Sequence, residues 1–272
     1  MILDLLEGIS DATTSSEQVT SDILLLKFTV VNASIVEKGA NQWVLIDTGL
    51  KSSGDDILKI AEERFGRGCS PEAIILTHGH FDHIGSVIQL ADKWDVAVYA
   101  HPLEMPYLTG RKDYPVGDST VDGGMIAEMS PYFPNESINI SNRVKELPTD
   151  GTVPGLSGWK WIHTPGHTPG HISLFRESDR TLIVGDAFTT VKQESAAAVI
   201  TQRKEINGPP AYFTTDWKAA KNSVMCLAAL KPSLVIPSHG KVMSGEELEK
   251  DMQELVRHFD EIAVPEHGRF VE

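Results

Sequence analysis

Three histidines and one aspartate occupy the six positions from His78 to His83, within the segment THGHFDHIG. Imidazole and carboxylate side chains at this density are typical of a metal site. His78 and His80 alternate along the chain, so a short extended segment would direct both imidazoles to the same side. Asp82 and His83 follow where the chain must turn, and they can face a second point nearby. This segment therefore predicts one half of a metal site.

The elements around this cluster are those of an open α/β fold. The apolar residues 73–76 predict a buried strand before it, and residues 84–90 predict the start of a helix after it. Side chains at the carboxyl end of a buried strand lie where open α/β sheets carry their chemistry. We therefore expect the remaining ligands at the ends of other strands.

Three further candidate ligands follow downstream, each in a glycine-containing segment. They are His167 in HTPGHTPGH, Asp186 in TLIVGDAF and His239 in LVIPSHG. The apolar runs before Asp186 and His239 predict strands, and the neighbouring glycines permit turns that direct a side chain inward. Asp47, in WVLIDTG, likewise ends an apolar run. The sequence thus places ionisable side chains at several strand ends.

Together these five segments, over about residues 24–245, resemble the ordered motifs of the metallo-β-lactamase superfamily. The resemblance implies an α/β fold of the αββα four-layer sandwich type, formed by residues 1–272 as a single domain. It also implies two metal ions held by seven residues: His78, His80 and His167 for the first ion, Asp82, His83 and His239 for the second, and Asp186 as the bridge.

Seven donors exceed the four that a tetrahedral zinc ion takes, and they suit two ions that share a water molecule. Two divalent ions outweigh the charges of Asp82, Asp186 and a hydroxide, so the site would attract an anionic or polarised substrate. Two ions also lower the pKa of the shared water, which makes a bridging hydroxide available at neutral pH. We therefore expect a metal-dependent hydrolase with zinc, or alternatively iron or manganese.

Asp47 is expected to accept a hydrogen bond from a ligand imidazole or from a backbone N–H of the motif loop. The alternative is a simple turn aspartate, because Asp-Thr-Gly after a strand is a common turn sequence. Asp47 and Asp82 are the candidate catalytic residues. His171, four residues after His167, is expected to make structural hydrogen bonds rather than to bind metal.

Differences between branches of the superfamily narrow the range of expected substrates. Asp186 resembles the bridging aspartate of the glyoxalase II, lactonase and phosphodiesterase branches, where several β-lactamase classes carry cysteine. Thr189 stands where quorum-quenching lactonases carry tyrosine, and the acidic C-terminal helix differs from the glutathione-binding region of glyoxalase II. The chain is most similar to bacterial glyoxalase II-like "probable metallo-hydrolases", so we expect an ester, lactone or thioester substrate.

Two alternatives share the same histidine motifs. One is an oxidoreductase similar to persulfide dioxygenases, with mononuclear iron, and the other is a phosphodiester hydrolase. For the acyl hydrolase, a tyrosine could donate to the oxyanion or the leaving group. The sequence offers four candidates without choosing among them: Tyr107, Tyr114, Tyr132 and Tyr212.

The bulk composition argues against several other classes. A net charge of −14 does not fit a nucleic-acid surface. Two distant cysteines, Cys69 and Cys226, make no disulfide framework, and the N-terminal residues lack a signal-peptide pattern. No apolar stretch approaches the roughly 18 residues of a membrane span. We expect a cytoplasmic enzyme for a small molecule, without a nucleic-acid or membrane partner and with no pattern favouring one oligomeric state.

Apolar periodicity predicts the other elements. Strands are expected at residues 23–31, 43–47, 96–100, 144–147, 159–162, 172–175 and 181–184, and helices at 55–65, 217–230 and 244–259. Cys226 is expected to be a small core residue of its helix, and Ser244 to begin a capping box. The irregular residues 104–142 are expected to form an insertion, either a substrate lid or a packed surface excursion.

Overall fold

The computed structural model describes residues 14–39, 41–122 and 124–271, so the N-terminal residues that lack a signal-peptide pattern lie outside the described residues. The described chain folds into two compact units. Of the described residues, those up to Tyr114 together with Glu136–Ser157 form the first unit. Those between Pro115 and Asn135 and those from Gly158 onward form the second.

The first unit is built on a seven-stranded sheet whose strands follow the chain order: β1 Ser15–Thr20, β2 Ile23–Lys27, β3 Asn32–Gly39, β4 Gln42–Ile46, β5 Ala73–Ile75, β6 Val98–Ala100 and β7 Val144–Glu146. Strands β1 to β4 form an antiparallel meander, whereas β4 to β7 are parallel. Because parallel strands end at one edge of a sheet, residues that follow β4, β5 and β6 can meet there.

Four helices belong to the first unit: α1 Gly54–Phe65, α2 Phe81–Ile84, α3 Val87–Trp94 and α4 Met105–Leu108. Trp43 on β4 connects two of them to the sheet. Its ring stacks on Phe65 of α1 with centroids 4.8 Å apart, and it meets Trp94 of α3 edge-on at 5.3 Å. These helices cover the sheet with one apolar core, which leaves the strand ends available for polar side chains.

The second sheet has six strands in the order β13-β12-β11-β10-β9-β8. Their ranges are β8 Thr152–Val153, β9 Leu156–His163, β10 Ile172–Arg176, β11 Thr181–Gly185, β12 Leu234–Pro237 and β13 Met243–Ser244. Strand β10 is antiparallel to both β9 and β11, and β11 is parallel to β12. The carboxyl ends of β9, β11 and β12 therefore lie at one edge.

Five helices accompany the second unit: α5 Met125–Met129, α6 Ala196–Thr201, α7 Trp217–Ala229, α8 Gly245–Arg257 and α9 Phe259–Ile262. Asp216 caps the start of helix α7, because its side chain accepts a hydrogen bond from the Ala219 N–H. Short 3₁₀ helices occur at Lys51–Ser53, Pro102–Glu104, Ser130–Tyr132 and Ala211–Phe213. Across the residues that the structure describes, no helix is both long enough and apolar enough to cross a membrane.

Of two predicted boundaries near the sheet, one was wrong. The apolar run at residues 23–31 is not one strand, because β2 ends at Lys27 and a turn closed by the Phe28 N–H and the Val31 carbonyl leads into β3. Residues 23–31, apart from Lys27 and Thr29, are apolar, so the sequence does not mark this turn with glycine, proline or asparagine. The predicted helix start within residues 84–90 is confirmed by α3, which begins at Val87. A separate short helix, α2, precedes it from Phe81 and places Asp82 and His83 in its first turn.

Two predictions in the C-terminal part were also wrong. Cys226 is exposed, because it lies on the face of α7 opposite to Trp217, Val224 and Leu227, which are buried. Ser244 makes no side-chain capping bond at the start of α8. Its backbone is extended and pairs with Leu234 as part of β13, so it belongs to the sheet rather than to a capping box.

Residues 104–142 are divided between the two units. In the first unit, backbone bonds join Ile138 to Tyr107 and Ile140 to Leu108. In the second, the Asp118 N–H donates to the Tyr212 carbonyl. These bonds favour a packed segment over a free lid. The description as one domain with an insertion at about 104–142 stays a prediction.

Candidate metal centre

The four predicted ligands of the first unit converge at the end of β5. His78 Nε2 lies 3.0 Å from His80 Nδ1, and the His78 and His83 rings are 4.0 Å apart. His83 Nε2 lies 3.8 Å from Asp82 Oδ1. All four side chains are buried. The extended segment therefore directs His78 and His80 to one point, as predicted, and the first turn of α2 brings Asp82 and His83 beside them.

Asp47, which follows β4, accepts hydrogen bonds that orient this set of ligands. Its Oδ2 accepts from His83 Nδ1 at 2.9 Å and from the Thr77 hydroxyl at 2.7 Å, while its Oδ1 accepts from the Thr77 N–H at 2.8 Å. Because the Thr77 hydroxyl donates to Asp47, its oxygen accepts from His78 Nδ1, 3.1 Å away. One aspartate thus fixes the tautomer of His83 directly and that of His78 through Thr77, and it leaves Nε2 of both rings as metal donors. Both contacts expected of Asp47 are present.

A second buried pair, Glu104 and Tyr114, contacts the same motif, and sequence analysis missed its acid. Glu104 follows β6, and its Oε2 accepts from the Gly79 N–H at 3.0 Å and from the Tyr114 hydroxyl. The Tyr114 oxygen also lies 3.1 Å from the Gly79 nitrogen. Burial, together with the nearby Glu104, raises the pKa of Tyr114 well above its usual value, so its hydroxyl is a donor at neutral pH. The sequence signal that could have identified Glu104 is an acidic residue shortly after the parallel strand β6.

The three predicted ligands of the second unit also converge. His239 Nε2 lies 3.1 Å from Asp186 Oδ2, and His167 Nε2 lies 3.4 Å from the same oxygen. Asp186 follows β11, His239 follows β12, and His167 lies in the loop between β9 and β10. All three are buried. One carboxylate oxygen is therefore shared by two imidazoles, which suits a residue that could bridge two ions.

His171 holds Asp186 through the backbone. Its Nε2 accepts from the Asp186 N–H at 2.8 Å, and its Nδ1 donates to the Thr164 carbonyl at 3.1 Å. A Cβ on Gly185, which has φ of +61°, would lie 2.5 Å from His171 Nε2. Glycine therefore allows both the turn and the close approach of the imidazole. The expectation that His171 is a structural hydrogen-bonding residue is confirmed.

Neutral side chains orient the two ligand histidines of this unit. The Thr214 hydroxyl donates to the Pro210 carbonyl at 2.8 Å, so its oxygen accepts from His167 Nδ1, 3.2 Å away. The side-chain amide of Gln193 contacts His239 Nδ1 at 2.5 Å. Both contacts leave Nε2 directed toward Asp186. Sequence reasoning missed Thr214 and Gln193, because neither belongs to a motif.

The structure separates the four candidate tyrosines. The hydroxyl of Tyr114 is held by Glu104, and the ring of Tyr107 stacks on that of Tyr114 with centroids 3.8 Å apart. Tyr132 is 76% exposed, and Tyr212 packs edge-on against Phe213 at 4.8 Å. The candidate tyrosines therefore have different surroundings, and Tyr114 serves a hydrogen-bonding role inside the first unit.

Thr189, at the position where quorum-quenching lactonases carry tyrosine, is engaged within its own loop. Its hydroxyl donates to the Val191 carbonyl at 2.8 Å and lies 3.3 Å from the Gly208 carbonyl. The side chain is buried and its single hydroxyl proton is used within the loop. Thr189 therefore does not replace a tyrosine donor.

The structure thus brings the seven predicted ligands together as two sets, four in the first unit and three in the second. Their union into one centre with two ions stays a prediction. Within each set, donor atoms face one another, and Nδ1 of His78, His83, His167 and His239 contacts the side chain of a residue outside the ligand set. The chemistry of both donor sets fits divalent metal ions.

Comparison with known proteins places this chain among metal-dependent enzymes. A family model described as "Metallo-beta-lactamase superfamily" matches residues 26–239. A "Probable metallo-hydrolase YflN" of Bacillus subtilis is 49% identical over 222 residues, which cover 82% of this chain and 84% of that protein. A "Hydroxyacylglutathione hydrolase GloC" of Haemophilus influenzae is 24% identical over 57% of this chain and 65% of that protein.

Solved structures share the fold. A B3 metallo-β-lactamase with an active-site glutamic acid superposes with a TM-score of 0.63 and 19% identity, covering 95% of this chain and 92% of that one. At this identity the likeness concerns the fold alone. The predicted α/β class, with two sheets and helices of the metallo-β-lactamase type, is confirmed.

Proposed function

The chain belongs to the metallo-β-lactamase superfamily and is a metal-dependent hydrolase of that superfamily, and we propose that it cleaves an ester, lactone or thioester at a centre of two metal ions. The observation that carries the proposal is the complete set of seven donors, four of them histidines whose Nδ1 contacts a side chain of the same unit. A site that had lost its chemistry would be expected to lack some of these ligands or the groups that orient them.

In the proposed centre, the two sets of ligands are halves of one site. The first ion would be held by His78, His80 and His167, and the second by Asp82, His83 and His239, with Asp186 between them. Support comes from the donor count, because seven exceed what one zinc ion takes. Support also comes from Asp186 Oδ2, which is approached by Nε2 atoms of both His167 and His239.

Side chains next to three of the ligand histidines hold the ring protons on Nδ1, so that Nε2 is left to bind metal. Asp47 and Thr77 hold the protons of His83 and His78 on Nδ1, and Thr214 does the same for His167. Bound divalent ions would supply an ionised water at neutral pH and an electrophile for the developing oxyanion. Because the protein supplies orientation rather than a nucleophile of its own, no serine or cysteine nucleophile is needed.

An activated acyl compound fits this chemistry best. Hydroxide attacks the carbonyl carbon of a thioester, ester or lactone more readily than that of an amide. The resemblance to a hydroxyacylglutathione hydrolase, whose name states a thioester substrate, supports an acyl compound of this kind. A centre of positive charge in a chain of net charge −14 would also attract an anionic acyl compound. We further propose zinc as the metal and the cytoplasm as the location.

Metal analysis together with an acyl-substrate panel tests the proposal. Protein purified without added metal should contain about two metal equivalents per chain, as expected for a dinuclear centre. It should hydrolyse members of a panel of 4-nitrophenyl esters, γ-lactones and acyl-glutathione thioesters. Asp82→Ala should abolish turnover and lower the metal content, whereas Asp260→Ala, which removes an exposed partner of Lys221, should change neither.

Other outcomes would reject the proposal. One iron per chain, with oxygen consumption in the presence of glutathione persulfide and no acyl hydrolysis, would favour the oxidoreductase. Turnover of bis(4-nitrophenyl) phosphate alone would favour the phosphodiesterase. Full acyl turnover by Asp82→Ala would show that the proposed ligand set is wrong.

A further inference from the structure

The backbone of the segment His78-Gly79-His80 is hydrogen-bonded to a buried acid, Glu104, which belongs to none of the sequence motifs. Glu104 is 0% exposed and lies in the 3₁₀ helix that follows β6, next to β5 in the sheet. Its Oε2 accepts from the Gly79 N–H at 3.0 Å. Gly79 lies between two proposed ligands, so this bond fixes the backbone from which both imidazoles project.

Tyr114 also supports the segment His78-Gly79-His80, because it contacts both Glu104 and His80. Its hydroxyl donates to Glu104 Oε2, and its ring centroid lies 4.5 Å from that of His80. The Tyr114 ring also stacks on that of Tyr107, which is parallel to it within 7°. A phenol held by a carboxylate at one end and by stacking along its ring has little rotational freedom, so it limits movement of His80.

Gly79 shows how closely this support fits. A Cβ at this position would lie 2.7 Å from the Tyr114 oxygen and 3.4 Å from Glu104 Oε2. Glycine is therefore required for both side chains to approach the backbone. The contacts of Glu104 and Tyr114 are directed at the one peptide that separates His78 from His80.

We propose that Glu104 and Tyr114 are positioning residues for the first metal ion, which they serve by fixing the separation of His78 Nε2 and His80 Nδ1. This inference rests on the proposed function, because it assigns these two nitrogens to one ion. The two nitrogens lie 3.0 Å apart, and a shift of Gly79 would alter that separation directly. Asp47 acts on His83 and on His78 through Thr77. Glu104 and Tyr114 act instead on the Gly79 N–H and, through the Tyr114 ring, on His80.

Metal affinity of the holoenzyme is the direct test. Competition with a chromophoric chelator would measure the two successive zinc dissociation constants for Glu104→Gln, Tyr114→Phe and the double variant. We expect binding of one ion to weaken by about 10- to 100-fold in Glu104→Gln and by less in Tyr114→Phe, with the second ion less affected. The double variant should lose less than the product of the single effects, because both residues act on Gly79.

Two exposed residues provide matched controls. Glu146→Gln changes an exposed acid at the end of the neighbouring parallel strand β7, and Tyr132→Phe removes an exposed hydroxyl. Both should bind zinc as the unchanged protein does. The visible spectrum of the cobalt-substituted protein should change in Glu104→Gln and Tyr114→Phe but not in the controls, since it reports the geometry around the ion.

The results separate this inference from the proposed function. If the unchanged protein binds two ions and hydrolyses acyl substrates while Glu104→Gln and Tyr114→Phe have its zinc affinities and cobalt spectrum, the positioning role is wrong and the proposed function stands. A lower unfolding temperature of the metal-free variants without any change in zinc affinity would also overturn it, since that indicates a structural role alone. If the unchanged protein binds no metal, both proposals fail.

Discussion

The two sets of proposed ligands are supported by different chemistry. In the first unit, four ligands lie within six positions of the chain, and the buried carboxyl groups of Asp47 and Glu104 accept the hydrogen bonds that hold them. In the second unit, the ligands lie at three separate strand ends, and the histidines are oriented by the hydroxyl of Thr214 and the amide of Gln193. The ligands of the first unit are therefore held by acidic side chains, and the ligand histidines of the second unit by neutral side chains.

This difference predicts unequal sensitivity to substitution. Hydrogen bonds to an ionised acceptor are about twice as strong as those between neutral groups. A carboxylate behind an imidazole also makes that ring a better donor to a metal ion. Supporting residues of the first unit should consequently matter more for metal binding than those of the second, although ligands in both units should be indispensable.

The largest effect is expected at the proposed bridge. Asp186→Ala removes the one carboxylate that approaches both His167 and His239, but it keeps the backbone bond to His171. We expect kcat/KM for an acyl substrate to fall by at least about 1,000-fold, because a lost metal contribution is worth several kcal/mol. Steady-state kinetics and metal content measure the effect. Activity within about tenfold of the unchanged protein would show that Asp186 is not a bridge.

A smaller loss is expected at Asp47, the support of the first unit. Asp47→Asn suits the backbone, since this residue has φ of +58° and asparagine tolerates that conformation. The new amide would direct N–H groups at donors that now meet a carboxylate oxygen. We expect metal affinity to fall by about 100-fold, at the upper end for such supporting residues. Chelator competition measures it, and unchanged affinity would make Asp47 a turn residue only.

The neutral supports of the second unit should matter less. Thr214→Val keeps the shape of the side chain but removes the oxygen that accepts from His167 Nδ1. We expect a loss of metal affinity of about tenfold, at the lower end of the range for supporting residues. The same chelator titration gives the value. A loss equal to that of Asp47→Asn would remove the distinction between acidic and neutral supports.

The smallest effect concerns stability near the second set. Glu194 is buried and accepts from the Ala211 N–H at 2.8 Å, and burial raises its pKa above the ordinary value of 4.5. Because the folded-state pKa is raised, the protonated form stabilises the fold at low pH. That stabilisation is lost as the pH rises through the folded-state value. Glu194→Gln should therefore gain stability relative to the unchanged protein as the pH increases.

Chemical unfolding of chelator-treated protein at about pH 5 and about pH 8 would measure this gain without a contribution from metal. The exposed Glu128→Gln serves as the control, and its stability difference should be the same at both pH values. A difference for Glu194→Gln that does not change with pH would contradict the predicted direction of the pKa shift.

How much the sequence could predict follows from the same comparison. His78 to His83 were found because their ligand types are adjacent in the chain, and Asp186 and His239 because apolar runs precede them. Glu104 was missed because its proximity to Gly79 depends on β6 lying beside β5 in the sheet. Gln193 and Thr214 were missed because they meet their histidines only after the loops are folded. Ligands carry a local pattern, whereas their supports depend on tertiary structure.

The strand boundaries show the same limit. The mostly apolar residues 23–31 carry no glycine, proline or asparagine at the turn between β2 and β3, which is closed by the backbone bond from the Phe28 N–H to the Val31 carbonyl. Helix α7 was predicted correctly at its start and within one residue at its end, because its apolar residues recur with helical spacing. Helices whose apolar residues recur periodically can thus be predicted from sequence, whereas a turn within a mostly apolar segment cannot.

The proposed function requires that the two sets of ligands jointly hold two metal ions. A crystal structure of the metal-loaded protein, with anomalous scattering recorded at the absorption edge of the bound metal, would locate these ions. We expect two anomalous peaks per chain, one contacted by His78, His80 and His167 and the other by Asp82, His83 and His239, with Asp186 touching both. A single peak, or peaks whose ligands come from only one of the two sets, would contradict the proposed function.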